Sequence, residues 1–152
     1  MTLTQKEHSL LCDLKSQEEL CIEKYSKYEN EACDGALKTL FSEIKATEQS
    51  HLETVNRIMA GEEVAMPQLS PSAKDSKTNA SPSSCGADDK KKDSYLCQDA
   101  LAMEKHVSSV YNTSIFEFSS PTLRDTLNHI QKEEQNHGER IYSYMKLNGM
   151  YS

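Results

Sequence analysis

The sequence repeats itself, and the repeat constrains the fold more than any other feature. A displacement of 86 residues, with no gap, lays Asp13 on Asp99, Glu18 on Glu104, Tyr25 on Tyr111, Leu37 on Leu123 and Ile44 on Ile130. The same displacement lays Glu48 on Glu134, His51 on His137, Glu53 on Glu139 and Met59 on Met145. Internal repeats of this kind signal repeated structural units. Each copy holds two stretches in which apolar residues recur at steps of three and four. Leu11, Leu14, Glu18, Cys21, Tyr25, Tyr28 and Ala32 form the first, and Leu37, Leu40, Ile44, Glu48, His51, Val55 and Ile58 the second. In the second copy, one stretch runs from Cys97 through Ala100, Glu104, Val107, Tyr111 and Ser114 to Phe118. The other runs from Leu123 through Leu127, Ile130, Glu134, His137 and Ile141 to Tyr144. That spacing marks one face of an α-helix, so the unit is a helical hairpin.

Local signals set the ends. Thr4 with Glu7 fits a capping box, Asp34-Gly35 breaks the first hairpin, and Ser120-Pro121 offers an N-cap followed by a helix-starting proline. Gly61 and Asn148-Gly149 fit C-terminal stops. The predicted helices are 5–33, 36–60, 94–118 and 121–148. With no Trp and only 5 Gly and 4 Pro, the composition agrees with an all-α chain. Residues 61–93 are rich in Ser, Pro, Ala, Lys and Asp and nearly lack large apolar side chains. They read as a flexible crossover linker inside one domain spanning 1–152. A twofold relation between the halves makes helices one and three antiparallel, so this linker must travel the length of the bundle. A helix of about 26 residues is roughly 39 Å long, which some 30 residues can span.

The net charge of -7 and pI near 5.2 argue against nucleic acid or an anionic membrane as the main partner. No apolar run approaches a membrane span. The start MTLTQKEHSL lacks a basic-then-apolar leader, which predicts cytoplasmic synthesis. Five cysteines without a C-x-x-C exclude common zinc-ribbon spacings. Cys12, Cys21, Cys33 and Cys97 read as reduced thiols acting as small apolar side chains, with Cys85 an exposed thiol in the linker.

The polar residues on the inner faces carry the chemistry. Glu48 and His51 stand three apart, as do Glu134 and His137, so each pair projects from one helical turn. Glu18 and Glu104 each lie 30 residues before the glutamate of their pair, on either side of a turn near its midpoint. An antiparallel hairpin brings the two to one height, and the bundle then converges four carboxylates and two imidazoles. One Glu from each of two helices and Glu-x-x-His from each of the other two is the pattern of carboxylate-bridged two-metal bundles. Burying four carboxylates without compensation is expensive. Two divalent ions would neutralise them, and no Lys or Arg occupies these stripes to do so instead. The donor set suits iron or manganese, with zinc also compatible. The alternative is a metal-free polar layer that fixes helix register. Tyr25 and Tyr111, two turns past Glu18 and Glu104, read as core aromatics or as catalytic candidates, hydrogen-bonding a ligand or acting as a redox-active phenol. Cys21 reads as packing, and His8, His106 and His129 as surface residues.

These residues resemble the ferritin-like superfamily, and the ligand set is similar to that of bacterioferritins and rubrerythrins. A closer resemblance, to the spore coat protein F family, rests on three segments: LKSQEELCIEKYSKYENEACDGALKTLFSEIKATEQSHLETVNRI, KHVSSVYNTSIFEF and LRDTLNHIQKEEQNHGERIYSYM. It implies a ferritin-like antiparallel four-helix bundle of two hairpins, associated with the spore coat, with Glu18, Glu48, His51, Glu104, Glu134 and His137 as ligands. The further helix-three glutamate of rubrerythrins is Val107 here. Two functions follow as expectations. One is a diiron or dimanganese oxidoreductase acting on peroxide, oxygen or ferrous iron. The other is a structural coat component whose metals stabilise the bundle. The partners this admits are metal ions, peroxide or oxygen, other coat proteins and a second copy in a homodimer.

Overall fold

Four helices make up most of the computed structural model, which describes residues 1–65 and 80–151: α1 (Gln5–Glu31), α2 (Gly35–Met59), α3 (Ala87–Ile115) and α4 (Pro121–Leu147). No strand occurs among the described residues. The caps are those the sequence signals. Thr4 and Glu7 exchange both bonds of a capping box, Asp34 accepts from the Ala36 amide, and Ser120 accepts from the Leu123 amide ahead of α4. Gly61 and Gly149 take positive φ angles of 91° and 67°, the left-handed conformation that ends a helix and suits glycine.

The apolar stripes form one core. Leu11, Leu14, Leu37, Phe41, Ile44, Val107, Leu127 and Ile141 are buried, and Tyr25, Tyr28 and Phe41 pack ring against ring. Contacts between the helices fix their directions. Near one end, Glu7 at the start of α1 meets Ser119 just after α3, and the Val64 carbonyl beyond α2 accepts from Thr126 at the start of α4. Near the other end, Cys33 and Asp34 between α1 and α2 meet Asp93 of α3, and Tyr144 near the end of α4 donates to Asp34. So α1 runs antiparallel to α2 and α3, and α2 runs parallel to α3. The chain after α2 must return along the bundle before α3 begins.

Two expectations need correction. The third helix starts at Ala87, seven residues before the expected 94. Asp88 and Asp89 sit in its first turn, where carboxylates favour the positive end of the helix dipole. The run is charged, yet Asp93 within it is buried and accepts from the Cys33 amide at 2.8 Å and the Asp34 amide at 3.1 Å. The expected linker 61–93 is also anchored at both described margins. Val64 is buried, the Ser83 amide donates to Asn148, and Cys85 is joined by a disulfide to Cys33 across a Cα–Cα distance of 6.5 Å. Cys33 and Cys85 are therefore neither reduced nor free. The remainder of that linker reading, 66–79, lies outside the described residues. Cys21 and Cys97 are buried as small apolar side chains, whereas Cys12 is exposed.

Candidate metal centre

The helix registers bring the six sequence-predicted side chains together at mid-bundle. Glu18, Glu48, His51, Glu104, Glu134 and His137 are all buried, none more than 4% exposed. They fall into two overlapping groups: Glu18, Glu48, His51 and Glu134, and Glu48, Glu104, Glu134 and His137. Within each group one ligand atom per residue lies within 4.8 Å of the others. Glu48 and Glu134 belong to both. Each imidazole turns Nδ1 inward. His51 Nδ1 stands 3.2 Å from Glu48 Oε2, 3.1 Å from Glu134 Oε1 and 3.7 Å from Glu18 Oε1. His137 Nδ1 stands 3.0 Å from Glu48 Oε1, 3.3 Å from Glu134 Oε2 and 3.5 Å from Glu104 Oε1. The ring centroids are 6.1 Å apart. Contact by contact, the second arrangement repeats the first after a displacement of 86 residues.

The two tyrosines cross between hairpins. The Tyr111 hydroxyl donates to Glu18 Oε1 at 2.5 Å, and the Tyr25 hydroxyl donates to Glu104 Oε1. Each therefore holds the first-helix glutamate of the opposite hairpin. That leaves Oε2 of Glu18 and Oε2 of Glu104 buried with no hydrogen-bond partner. Orphaned buried carboxylate oxygens are costly, and they are what a metal ion would satisfy.

The charges divide in the same symmetric way. Burial and the neighbouring Glu48 push the Glu18 carboxyl well above its usual range, and burial with Glu134 pushes Glu104 up to about 9. Burial also works against ionisation of Glu48, but hydrogen bonds from His137 and His51 outweigh it and hold that carboxylate low. Glu134 is lowered against burial by hydrogen bonds from Glu104, His137 and His51. Burial disfavours the imidazolium of His51, yet Glu133, Glu134 and Glu48 raise its pKa well above normal. Glu104, Glu134 and Glu48 do the same for His137. Without metal, these shifts favour imidazolium on His51 and His137, ionised Glu48 and Glu134, and neutral Glu18 and Glu104. Burial followed by the facing carboxylates also raises both tyrosine hydroxyls, so they remain donors. Clusters of buried Glu and His in this arrangement could hold metal ions.

One neighbour escaped the sequence reading. Glu133 Oε2 stands 3.5 Å from Nε2 of His51, and its Oε1 stands 2.5 Å from Nε2 of His129. His129 is thus a half-buried partner of the centre's margin, not the plain surface residue expected. The i, i+4 step from His129 to Glu133 was the available signal. His8 and His106 are exposed, as expected. Cys21 is buried beside the centre, where burial and the charges of Glu48 and Glu18 suppress its ionisation.

Residues 92–152 match the model of the Coat F domain, a stretch that takes in most of α3 and all of α4. The match points to the spore coat. None of the curated proteins and none of the solved structures matches the chain. No helix among the described residues is long and apolar enough to cross a membrane.

Proposed function

We propose that this is a ferritin-like protein of the spore coat type that holds a dinuclear centre and uses it in redox chemistry with peroxide or oxygen. The observation that carries the reading is the overlap of two buried four-residue groups on Glu48 and Glu134. Glu48 and Glu134, common to both groups, would be shared by the two metals, with Glu18 and His51 holding one and Glu104 and His137 the other. Iron or manganese suits this oxygen-rich set with one imidazole per metal, and zinc is compatible. A bound redox metal supplies electrons and an open coordination position. The protein's part is to keep the six donors fixed in a water-poor core. Tyr25 and Tyr111 hold Glu104 and Glu18 in place and present hydroxyl groups at the centre.

Elemental analysis of protein purified without chelators tests the reading, beside a Glu48→Ala, Glu134→Ala variant. About two iron or manganese atoms per chain, lost in the variant together with peroxide or oxygen turnover, is the expected result. Absence of metal after reconstitution would overturn it.

A second reading has its own support. The disulfide fastening the crossover to the α1–α2 turn, and the complete burial of the ligands, suit a coat component in which metal only stabilises the bundle. Cys12 is then the exposed thiol free for cross-linking. Full metal content with no turnover, and a large loss of thermal stability on chelation, would favour this reading over the first.

A further inference from the structure

The repeat makes the two metal positions nearly superimposable, so any departure from symmetry at their margins stands out. Both histidines turn Nδ1 toward the glutamates, which leaves Nε2 as the outer nitrogen of each. Opposite Nε2 of His51 stands Glu133 Oε2 at 3.5 Å, with Glu133 itself paired to His129. Opposite Nε2 of His137 no carboxylate stands among the described residues. The repeat explains why. The position equivalent to Glu133 is Thr47, which cannot supply a carboxylate, and the position equivalent to His129 is Glu43. Glu43 turns away to pair with Arg140.

A carboxylate on the outer nitrogen of a ligating histidine fixes the ring, keeps the proton on the outer nitrogen and makes the inner one a better ligand. The side chain of Glu133 is 32% exposed, so it can shift to close the 3.5 Å contact. It also adds a negative charge on one side of the centre only. We propose that the two metal positions are inequivalent: Glu133, positioned by His129, makes the site of Glu18, Glu48, His51 and Glu134 the tighter one, and it fills first. Glu133 is a positioning residue here, not a ligand. The inference rests on the reading of the six residues as a two-metal centre.

The test is an anaerobic titration of metal-free protein with cobalt(II), followed by its visible absorption and by bound stoichiometry. Wild-type protein is expected to bind in two resolved steps whose affinities differ by about 10–100-fold, the range typical of outer-sphere partners. His51→Ala removes the tight step and His137→Ala the weak one. Glu133→Thr, which copies the equivalent position of the repeat, brings the steps together by weakening the first. Thr47→Glu does so by strengthening the second. Glu133→Gln, which keeps the shape and an acceptor oxygen, gives a smaller loss than Glu133→Thr. Far-ultraviolet circular dichroism shows whether each variant keeps its helices. Two equal steps in wild-type protein, or a folded Glu133→Thr variant with both affinities unchanged, would overturn the inference and leave the two-metal reading intact. No cobalt bound by wild-type protein would overturn both.

Discussion

At mid-bundle the shifts favour four protons in a core without Lys or Arg, two on carboxyls and two on imidazoles, which together balance four glutamates. Glu18 and Glu104 are pushed toward the neutral form, by burial and then by Glu48 and Glu134 respectively. His51 and His137 are charged by the glutamates around them despite their burial. Two divalent ions carry the same charge as those four protons, so metal can exchange for protons without changing the net charge of the core. Loading at neutral pH is therefore expected to release about four protons per chain, read as base uptake in a weakly buffered titration; release near zero would contradict the exchange. A second expectation concerns the metal-free chain. The Glu104 pKa is about 9 when folded, against an ordinary value of 4.5. Over that interval the folded chain retains a proton that the unfolded chain has lost, so stability falls as pH rises. A single group contributes at most about 1.4 kcal/mol per pH unit, and raised histidines act in the same direction. The melting temperature of metal-free protein should drop between pH 5.5 and 8.5, and Glu104→Gln should flatten the slope; a melting temperature constant across that range would contradict it. The six residues were legible in the sequence because Glu-x-x-His and the glutamate 30 residues upstream each lie on an apolar stripe and occur twice. Glu133 was not, because it lies one residue off the stripe and acts through His51.

Between helices, the same repeat writes a pair of caps. Glu7 accepts from the Ser119 amide at 2.9 Å and its hydroxyl at 3.0 Å, and Asp93 accepts from the amides of Cys33 and Asp34. Glu7 and Asp93 are one displacement of 86 residues apart, as are Cys33 and Ser119. Each hairpin thus closes the turn of the other, and each buried carboxylate finds its donors in a turn at the surface. Asp93→Ala removes two hydrogen bonds whose donors lie at or near the surface, where water can replace the lost acceptor, so a loss of about 1–2 kcal/mol is expected in urea unfolding. Asp93→Asn keeps one acceptor and should lose less. The exposed Asp88→Asn should change stability by no more than about 0.5 kcal/mol. If Asp93→Ala matched Asp88→Asn, the cap would contribute nothing. Three helix starts were legible because Thr4, Asp34 and Ser120 are side-chain caps. The start of α3 was not. Its N-cap is Gly86 with no side-chain bond, and the Asp93 contact that fixes its first turns is 60 residues away in sequence.

At the scale of the molecule, parallel α2 and α3 oblige the chain between them to reach from one end of the bundle to the other. The Cys33–Cys85 disulfide pins its far end, closing a loop with a sequence separation of 52 residues. The pairing was illegible because the two cysteines lie in segments whose meeting depends on helix direction. In the chain-entropy account, opening a loop of that size destabilises the fold by about 4 kcal/mol. The pin and the Glu/His layer are at different heights. Glu18 lies 13 residues before the end of α1 at Glu31, which is about 20 Å along a helix. Perturbations that far apart, with no shared partner, add to within about 0.5 kcal/mol. Thermal and urea unfolding of metal-loaded and metal-free protein, each with the disulfide and with Cys33→Ser, Cys85→Ser, therefore makes a closed cycle. The serine variant should lose up to about 4 kcal/mol while keeping its helices, because the Asp93 cap and the Ser83–Asn148 bond still hold the start of α3. Its loss should be the same with and without metal. A loss that appears only in the metal-free protein would mean that the metals alone can hold the two hairpins in register, and that the disulfide guards the fold only until the centre is filled.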